Sequence, residues 1–201
     1  PKLLQRLSVE APSVRLDIMT PSDVSFHDVE RGKVDLVINR FDSLPQSFHQ
    51  VHLWDDSFSC VLRADNPVIS NWNLESYLAA KHVWVSKTGM GVGVGMSTDD
   101  VQRLGWVDEA LAKMGAQRVI TLFTRHYQAA LLLAEHNDLV VTIPTLAANS
   151  MLENPHVAIL EPPFEIPRMR LKMVWSPLLQ HDPGHSWMRK LIKSVSEEIA
   201  A

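Results

Sequence analysis

Between residues 74 and 165, short apolar runs and helix-periodic runs take turns, and this alternation limits the fold more than any other feature of the sequence. "LESYLAA" reads as helix and "HVWVS" as strand. "DDVQRLGWVDEALAKMG" is helix, "RVITLFT" strand, "HYQAALLLAEHN" helix, "DLVVTI" strand, "TLAANSML" helix and "VAILE" strand. Strands separated by helical crossovers predict an α/β architecture with parallel pairing. The N-terminal part adds to the pattern. Leu3, Leu4 and Leu7 predict a helix that Ala11-Pro12 stops. "VRLDIMT", 14–20, alternates Val14, Leu16 and Ile18 and predicts a strand. "SFHDVERGKV" predicts a short helix closed by Gly32. "DLVIN", 35–39, is a continuous apolar run, the mark of a parallel strand covered on both faces. "FHQVHLWDDSFSCVLRA" predicts two strands around Asp55 and Asp56, and "LKMVWS" one more. The final run is an amphipathic helix, capped by Asp182 with Pro183 in its first turn and Trp187, Leu191, Val195 and Ile199 on one stripe.

Two Pro- and Asn-marked stretches, "DNPVISNWN" and "PPFEIPR", read as linkers. They divide the chain into a first lobe of 1–65 plus 170–201, a second lobe of 74–165, and hinges at 66–73 and 166–169. Two chain crossings predict a cleft between lobes. Ligands of open α/β sheets sit outside the carboxyl ends of the strands. The candidate positions are therefore 20–23, 39–40, 86–88, 124–126, 142–144 and 174–175. Trp54, Trp175 and Phe123 could wall an aromatic ring, and Arg40, Lys87, Arg125 or His126 could meet a carboxylate. An aromatic acid is the expected ligand.

Other chemistries find little support. With 46% hydrophobic residues the chain can bury a core, and a net charge of -4 gives no reason to expect nucleic acid or an anionic membrane as a direct partner. The single cysteine, Cys60, excludes an internal disulfide and a Cys-cluster zinc site, and reads as a buried small hydrophobe. No run approaches the ~18–20 apolar residues of a membrane helix. "HQVH" throws His49 and His52 to opposite faces of a strand, and "HDPGH" sits at a helix start, so surface or capping roles are expected and no metal site. Four of the eight glycines lie in 89–95. Their spacing fails G-x-G-x-x-G, and no Lys follows to complete a Walker loop. A rim or lid on the cleft fits better than a phosphate cradle. No G-x-S-x-G elbow occurs, and no catalytic residues or cofactor are expected.

The order of these segments resembles the effector-binding (regulatory) domain of LysR-type transcriptional regulators, from residue 1 to about 196. "LLQRLSVEAPSVRLDI" resembles the family's helix, Ala-Pro and strand, and "VERGKVDLVIN" its Gly-x-x-Asp-Leu strand. "LWDDSFSCVLRADNP" resembles its crossover strand, and "DLVVTIPTLAA" its strand, proline and helix. "MVWSPLLQHDPGHSWMRKLI" is similar to the ending found in nodulation and nitroaromatic- or salicylate-responsive regulators. The resemblance implies two Rossmann-like lobes joined by two crossover strands, the type 2 periplasmic-binding-protein-like fold. It implies a small effector in the cleft and a helix-turn-helix on DNA. The effector positions it implies are Ser22, Asp23, Asn39, Trp54, Asp55, Ser86, Thr88, His126 and Val174. It also implies a homodimer or tetramer through residues 2–10 and 126–136; the single cysteine and the lack of a leader-like apolar run point to a cytoplasmic location.

Three departures stand out. Asn66 replaces the His usual before Pro67, the glycine loop and "STDDVQRLGW" read as an insertion, and the sequence starts inside the family's first helix. The DNA-binding helices and first strand are then absent, and operator DNA would be reached only through that missing N-terminal domain. The alternatives are a periplasmic solute-binding protein, which shares the two-lobe plan, and a nucleotide-dependent α/β enzyme.

Overall fold

The computed structural model describes residues 1–19, 24–41, 44–85, 105–124 and 126–200. The strands are β1 (Val37–Asn39), β2 (His49–Asp56), β3 (Phe58–Arg63), β4 (Lys81–Val85), β5 (Val119–Thr124), β6 (Val140–Pro144), β7 (Val157–Leu160) and β8 (Met169–Trp175). The α-helices are α1 (Lys2–Glu10), α2 (Phe26–Glu30), α3 (Leu74–Ala79), α4 (Trp106–Lys113), α5 (Tyr127–His136), α6 (Thr145–Ala148) and α7 (Pro183–Ala200). The described residues of 1–55 and 170–201 form one compact unit, and those of 56–87 and 95–169 a second.

Unit 1 is built on a three-stranded sheet, order β1-β8-β2. β8 serves two apolar clusters because successive side chains of a strand face opposite ways. Val174 packs with Val24, Val29, Val37 and Phe48. Met173 and Trp175 join Leu53 and Ile192 of α7. Asp182 caps α7 as expected, its Oδ1 accepting from His185 N at 2.7 Å. Leu191 and Val195 of the expected stripe are buried, whereas Ile199 is 39% exposed. Leu7 anchors α1, and Arg6 Nη1 donates to Ser194 Oγ of α7 at 2.9 Å.

Three expectations need correction. β1 is antiparallel to β8, with Val37 opposite Val174 and Asn39 opposite Lys172. Burial on both faces makes an apolar run whichever way the neighbour points. The segment 14–19 is not a strand, and Ile18 is 82% exposed. Alternation supplies an apolar face, but a strand also needs a hydrogen-bonding neighbour, and no described strand pairs with this one. His185, expected at a surface or cap, is buried, and its Nε2 lies 2.9 Å from the Asp35 carbonyl oxygen.

Unit 2 is built on a five-stranded mixed sheet, order β5-β4-β6-β3-β7. β4 is parallel to β5 and β6, as helical crossovers require. β3 is antiparallel to β6 and β7. The sequence reading placed 58–63 in the first lobe, but β3 is hydrogen-bonded into this sheet. The stretch 66–73, read as a hinge, also belongs here. Its Asn and Pro residues are helix-start chemistry as well as linker chemistry. Asn66 Oδ1 accepts from Val68 N at 3.1 Å and Pro67 opens a 3-10 turn. Asn73 and Ser76 form a capping box on α3, and Trp72 Nε1 donates to the Glu161 carbonyl at 2.8 Å. The core joins Val61, Val83, Val141 and Ile143 of the sheet to Ala130, Leu131 and Ala134 of α5. Cys60 is fully buried, and burial pushes its thiol up to about 12, which leaves it inert at neutral pH.

Gly32, the expected helix-closing glycine, has φ +69°, and so does Gly115 after α4. At Gly115 the Ala116 N–H reaches back to the Leu111 carbonyl at 3.0 Å, which requires the left-handed turn. An added Cβ would meet nothing within 4 Å, so the cost of Gly115→Ala is conformational. It should be about 1–2 kcal/mol by urea unfolding. Gly105, at φ -73°, carries no such strain.

Among the described residues, no helix is long and apolar enough to cross a membrane. No three His, Cys, Asp or Glu side chains among them gather as metal ligands.

Candidate functional site

The sequence-predicted positions distribute over both units. In unit 1, Asn39 ends β1 and is buried, its Oδ1 accepting from Arg40 N at 2.8 Å. Val174 faces the core at 1% exposure. Trp54 packs against the Leu53–Met173–Trp175 cluster, and its buried Nε1 has no hydrogen-bond partner. Asp55 Oδ1 accepts from His52 Nε2 at 2.8 Å and lies 3.6 Å from Arg170 Nε. The His52 hydrogen bond, against a small desolvation cost, holds this carboxyl below its usual range. Trp175 is a packing residue. It stacks on His49 at 5.7 Å, carries the Arg189 guanidinium over its ring at 4.6 Å, and donates to Gln180 Oε1.

In unit 2, Asp56 is buried and its Oδ2 accepts from Leu146 N at 3.3 Å at the start of α6. Burial raises its carboxyl above the ordinary value. The adjacent carboxylates are thus used separately, as their strand positions predict. His126 is the exposed N-cap residue of α5, its backbone N donating to Thr124 Oγ1 at 3.2 Å. Ser22, Asp23, Ser86 and Thr88, with Lys87, Arg125 and the glycine run 89–95, lie outside the described residues.

A cavity of about 30 Å³ opens in unit 2 at the carboxyl-terminal halves of the parallel strands β4 and β6. Trp84 and Val85 come from β4, Thr142 and Pro144 from β6, and Gly105–Asp108 from the first turn of α4. Phe58 and Tyr127 complete the aromatic wall. The Phe58 and Trp106 rings are 6.1 Å apart. The site agrees with the rule that α/β sheets take ligands at strand carboxyl ends, and 142–144 is one of the positions that rule indicated.

The floor of the cavity is polar. Arg118 Nε donates to Asp108 Oδ1 at 2.6 Å and Nη2 to Oδ2 at 2.8 Å. Their side chains are 3% and 6% exposed. Burial, the largest single influence, opposes the guanidinium charge, but Asp108 and Tyr77 together outweigh it and hold the group charged. Nη1 has no hydrogen-bond partner. The Tyr77 hydroxyl favours the guanidinium charge both electrostatically and by side-chain hydrogen bonding, and it also bonds to Thr142 Oγ1 at 2.8 Å. Sequence reasoning missed Tyr77, Trp84, Asp108 and Arg118. Asp108 sits in the first turn of a helix and Arg118 just before the next strand, and no periodicity pairs positions across that connection.

The LysR substrate binding domain model matches residues 1–197. The chain is 27% identical over 199 residues to the transcriptional regulator SyrM of Rhizobium meliloti, covering 98% of this chain and 57% of SyrM. It is 26% identical over 194 residues to the transcriptional activator NahR of Pseudomonas putida, covering 96% and 61%. The chain therefore spans little more than half the length of these curated relatives. Among solved structures it is similar to the regulatory domain of MexT, a transcriptional activator in Pseudomonas aeruginosa, at TM-score 0.78 and 25% identity over 96% of this chain and 91% of that one. With a family match running through both units and a regulatory-domain fold beneath it, the chain belongs to the LysR substrate binding domain family.

Proposed function

We propose that the chain is the effector-sensing domain of a LysR-type transcriptional regulator. A small organic molecule binds it without being chemically changed, and binding alters the balance between two conformations. Operator DNA is reached through a helix-turn-helix segment outside this sequence, and the regulator acts in the cytoplasm as a dimer or tetramer through residues 2–10 and 126–136. Exposed Leu4 and Val9 on α1 and Leu132 on α5 offer apolar surface for that pairing. Asn39, Trp54, Asp55 and His126 are the proposed effector contacts among the described residues. The observation that carries the reading is the family match over 1–197, which takes in both units.

A ligand shifts an equilibrium only by its differential affinity for the two states. Coupling of about 1–3 kcal/mol gives a roughly 5–150-fold response. The test is operator affinity of the full-length regulator, read by fluorescence anisotropy against small aromatic acids, uncharged aromatics and nucleotides. At least one aromatic compound should change operator affinity about fivefold or more. Saturable binding of a nucleotide, with no response to any aromatic compound, overturns the sensor reading.

A further inference from the structure

We infer that Asp56 is a positioning residue that fastens the crossing chain to the start of α6, and so confines the joint in the first crossing to the link between Asp55 and Asp56. The joint rests on the sensor reading for its biological use, but the fastening itself is a property of unit 2.

Neighbouring residues of the crossing hold to different units. The chain leaves unit 1 after Asp55 and enters unit 2 at Asp56, and it returns between Met169 and Arg170. The partners of Asp55, His52 at 2.8 Å and Arg170 at 3.6 Å, both belong to unit 1. The next residues turn to unit 2. Asp56 Oδ2 accepts from Leu146 N at 3.3 Å, and the Ser57 carbonyl accepts from Thr145 N at 2.9 Å. Thr145 Oγ1 lies 2.9 Å from both Ser57 Oγ and Ser59 Oγ. Phe58 stands opposite Pro144 in the β3–β6 ladder. Strand alternation makes this division possible, because adjacent side chains face opposite ways.

The start of α6 depends on this carboxylate. The N-cap residue of α6 is Pro144, which makes no side-chain cap bond, so the first-turn amides need an acceptor from elsewhere. Asp56 supplies it from the end of β2. Burial raises the Asp56 carboxyl, and the Leu146, Ser57 and Thr145 amides work against that rise. A buried carboxylate is tolerated where such charge-assisted bonds hold it.

The same bonds tie the crossing to the end of β6. Thr142 and Pro144 line the cavity, and Thr145 follows them directly. A shift of the β6 carboxyl end is therefore handed to Asp56 and Ser57 through one residue. The backbone torsions left to absorb it are those of the Asp55–Asp56 link, as in a hinge of a few residues at an element terminus. The two crossings also run side by side, since β2 and β8 are neighbours in their sheet. The joint bends as a paired ribbon and does not swivel as a single tether.

The test places spin labels on the purified protein at two exposed positions, Lys190→Cys in α7 and Glu153→Cys after α6. Double electron–electron resonance then reads the width of the distance distribution, with unlabelled protein added to dilute pairs between copies. Cys60 is fully buried and takes no label. Asp56→Ala should widen the distribution about twofold or more, because the joint is no longer confined. Asp56→Asn keeps an acceptor oxygen and should hold the parent width. Thr145→Val removes the hydroxyl shared by Ser57 and Ser59. It should widen the distribution as well, and it decides the matter where Asp56→Ala does not fold. Three results overturn the inference: lower stability to urea in Asp56→Ala at unchanged width, equal widening in Asp56→Asn and Asp56→Ala, or no widening in Thr145→Val. The first is what a helix cap without a positioning role gives. Neither effector nor operator enters the measurement, so failure here leaves the sensor reading standing.

Discussion

Asp108→Ala should destabilise unit 2 by about 3–5 kcal/mol, because it strands the Arg118 guanidinium in the interior without its counter-charge. The pair is almost sealed, at 3% and 6% exposure, and bidentate. Burying an unpaired charge is far costlier than losing a pair outright. Arg118→Met should therefore cost a similar amount through the stranded carboxylate, while Asp108→Leu with Arg118→Met should cost much less than the two single changes added. Arg6 and Glu10 serve as the control. That pair is 35% and 36% exposed at i,i+4 spacing, and Glu10→Ala, which leaves the Arg6–Ser194 bond in place, should change stability by only about 0.3–0.5 kcal/mol. Urea unfolding of the four variants gives the comparison. Additive costs for Asp108 and Arg118 would falsify the assignment of a buried, mutually dependent pair.

Acid should weaken the protein between about pH 6.5 and pH 4, through His82. This imidazole is fully buried, Nε2 donates to the Tyr77 carbonyl at 2.7 Å, and Nδ1 has no partner. Burial lowers its pKa to about 4, well below the ordinary imidazole value of 6.5. Above pH 6.5 both folded and unfolded chains hold the ring neutral, and His82 adds no pH dependence. As pH falls, the unfolded chain takes up the proton first, and the folded state loses relative stability until the folded pKa is passed. A depression from 6.5 to about 4 corresponds to about 3 kcal/mol at full effect. Asp56, with its carboxyl raised by burial, works in the opposite sense, because protonation relieves its folded form, but only toward the carboxylate range. His82→Phe should lower the baseline and flatten the slope of stability against pH over that window. An equal slope in parent and variant removes His82 from the account.

The structure confirms the sequence-predicted elements where local chemistry is strong. Asp182 and Pro183 start α7, Gly32 closes the turn after α2, and β4, β5, β6 and β7 fall on the predicted apolar runs. The misreadings have a common cause. Asn66, Pro67 and Asn73 serve linkers and helix starts alike, so composition could not say that 66–73 packs within unit 2. Continuous apolar runs report burial and not direction, so β1 read as parallel. The cavity lies at strand carboxyl ends, which the βα pattern sets, but none of the described effector positions expected from the resemblance lines it. Its polar floor was not legible.

Hydrophobic period, capping residues and family pattern are local or ordered along the chain, and from them the sequence alone determined the α/β class, most of the elements and the LysR resemblance. Which strands are neighbours, where β3 belongs, and that Arg118 meets Asp108 beside Trp84 and Thr142 were decided only by tertiary structure. Those pairings depend on how helices lie over a sheet, and side chains ten to sixty residues apart carry no mark of it until the backbone brings them together.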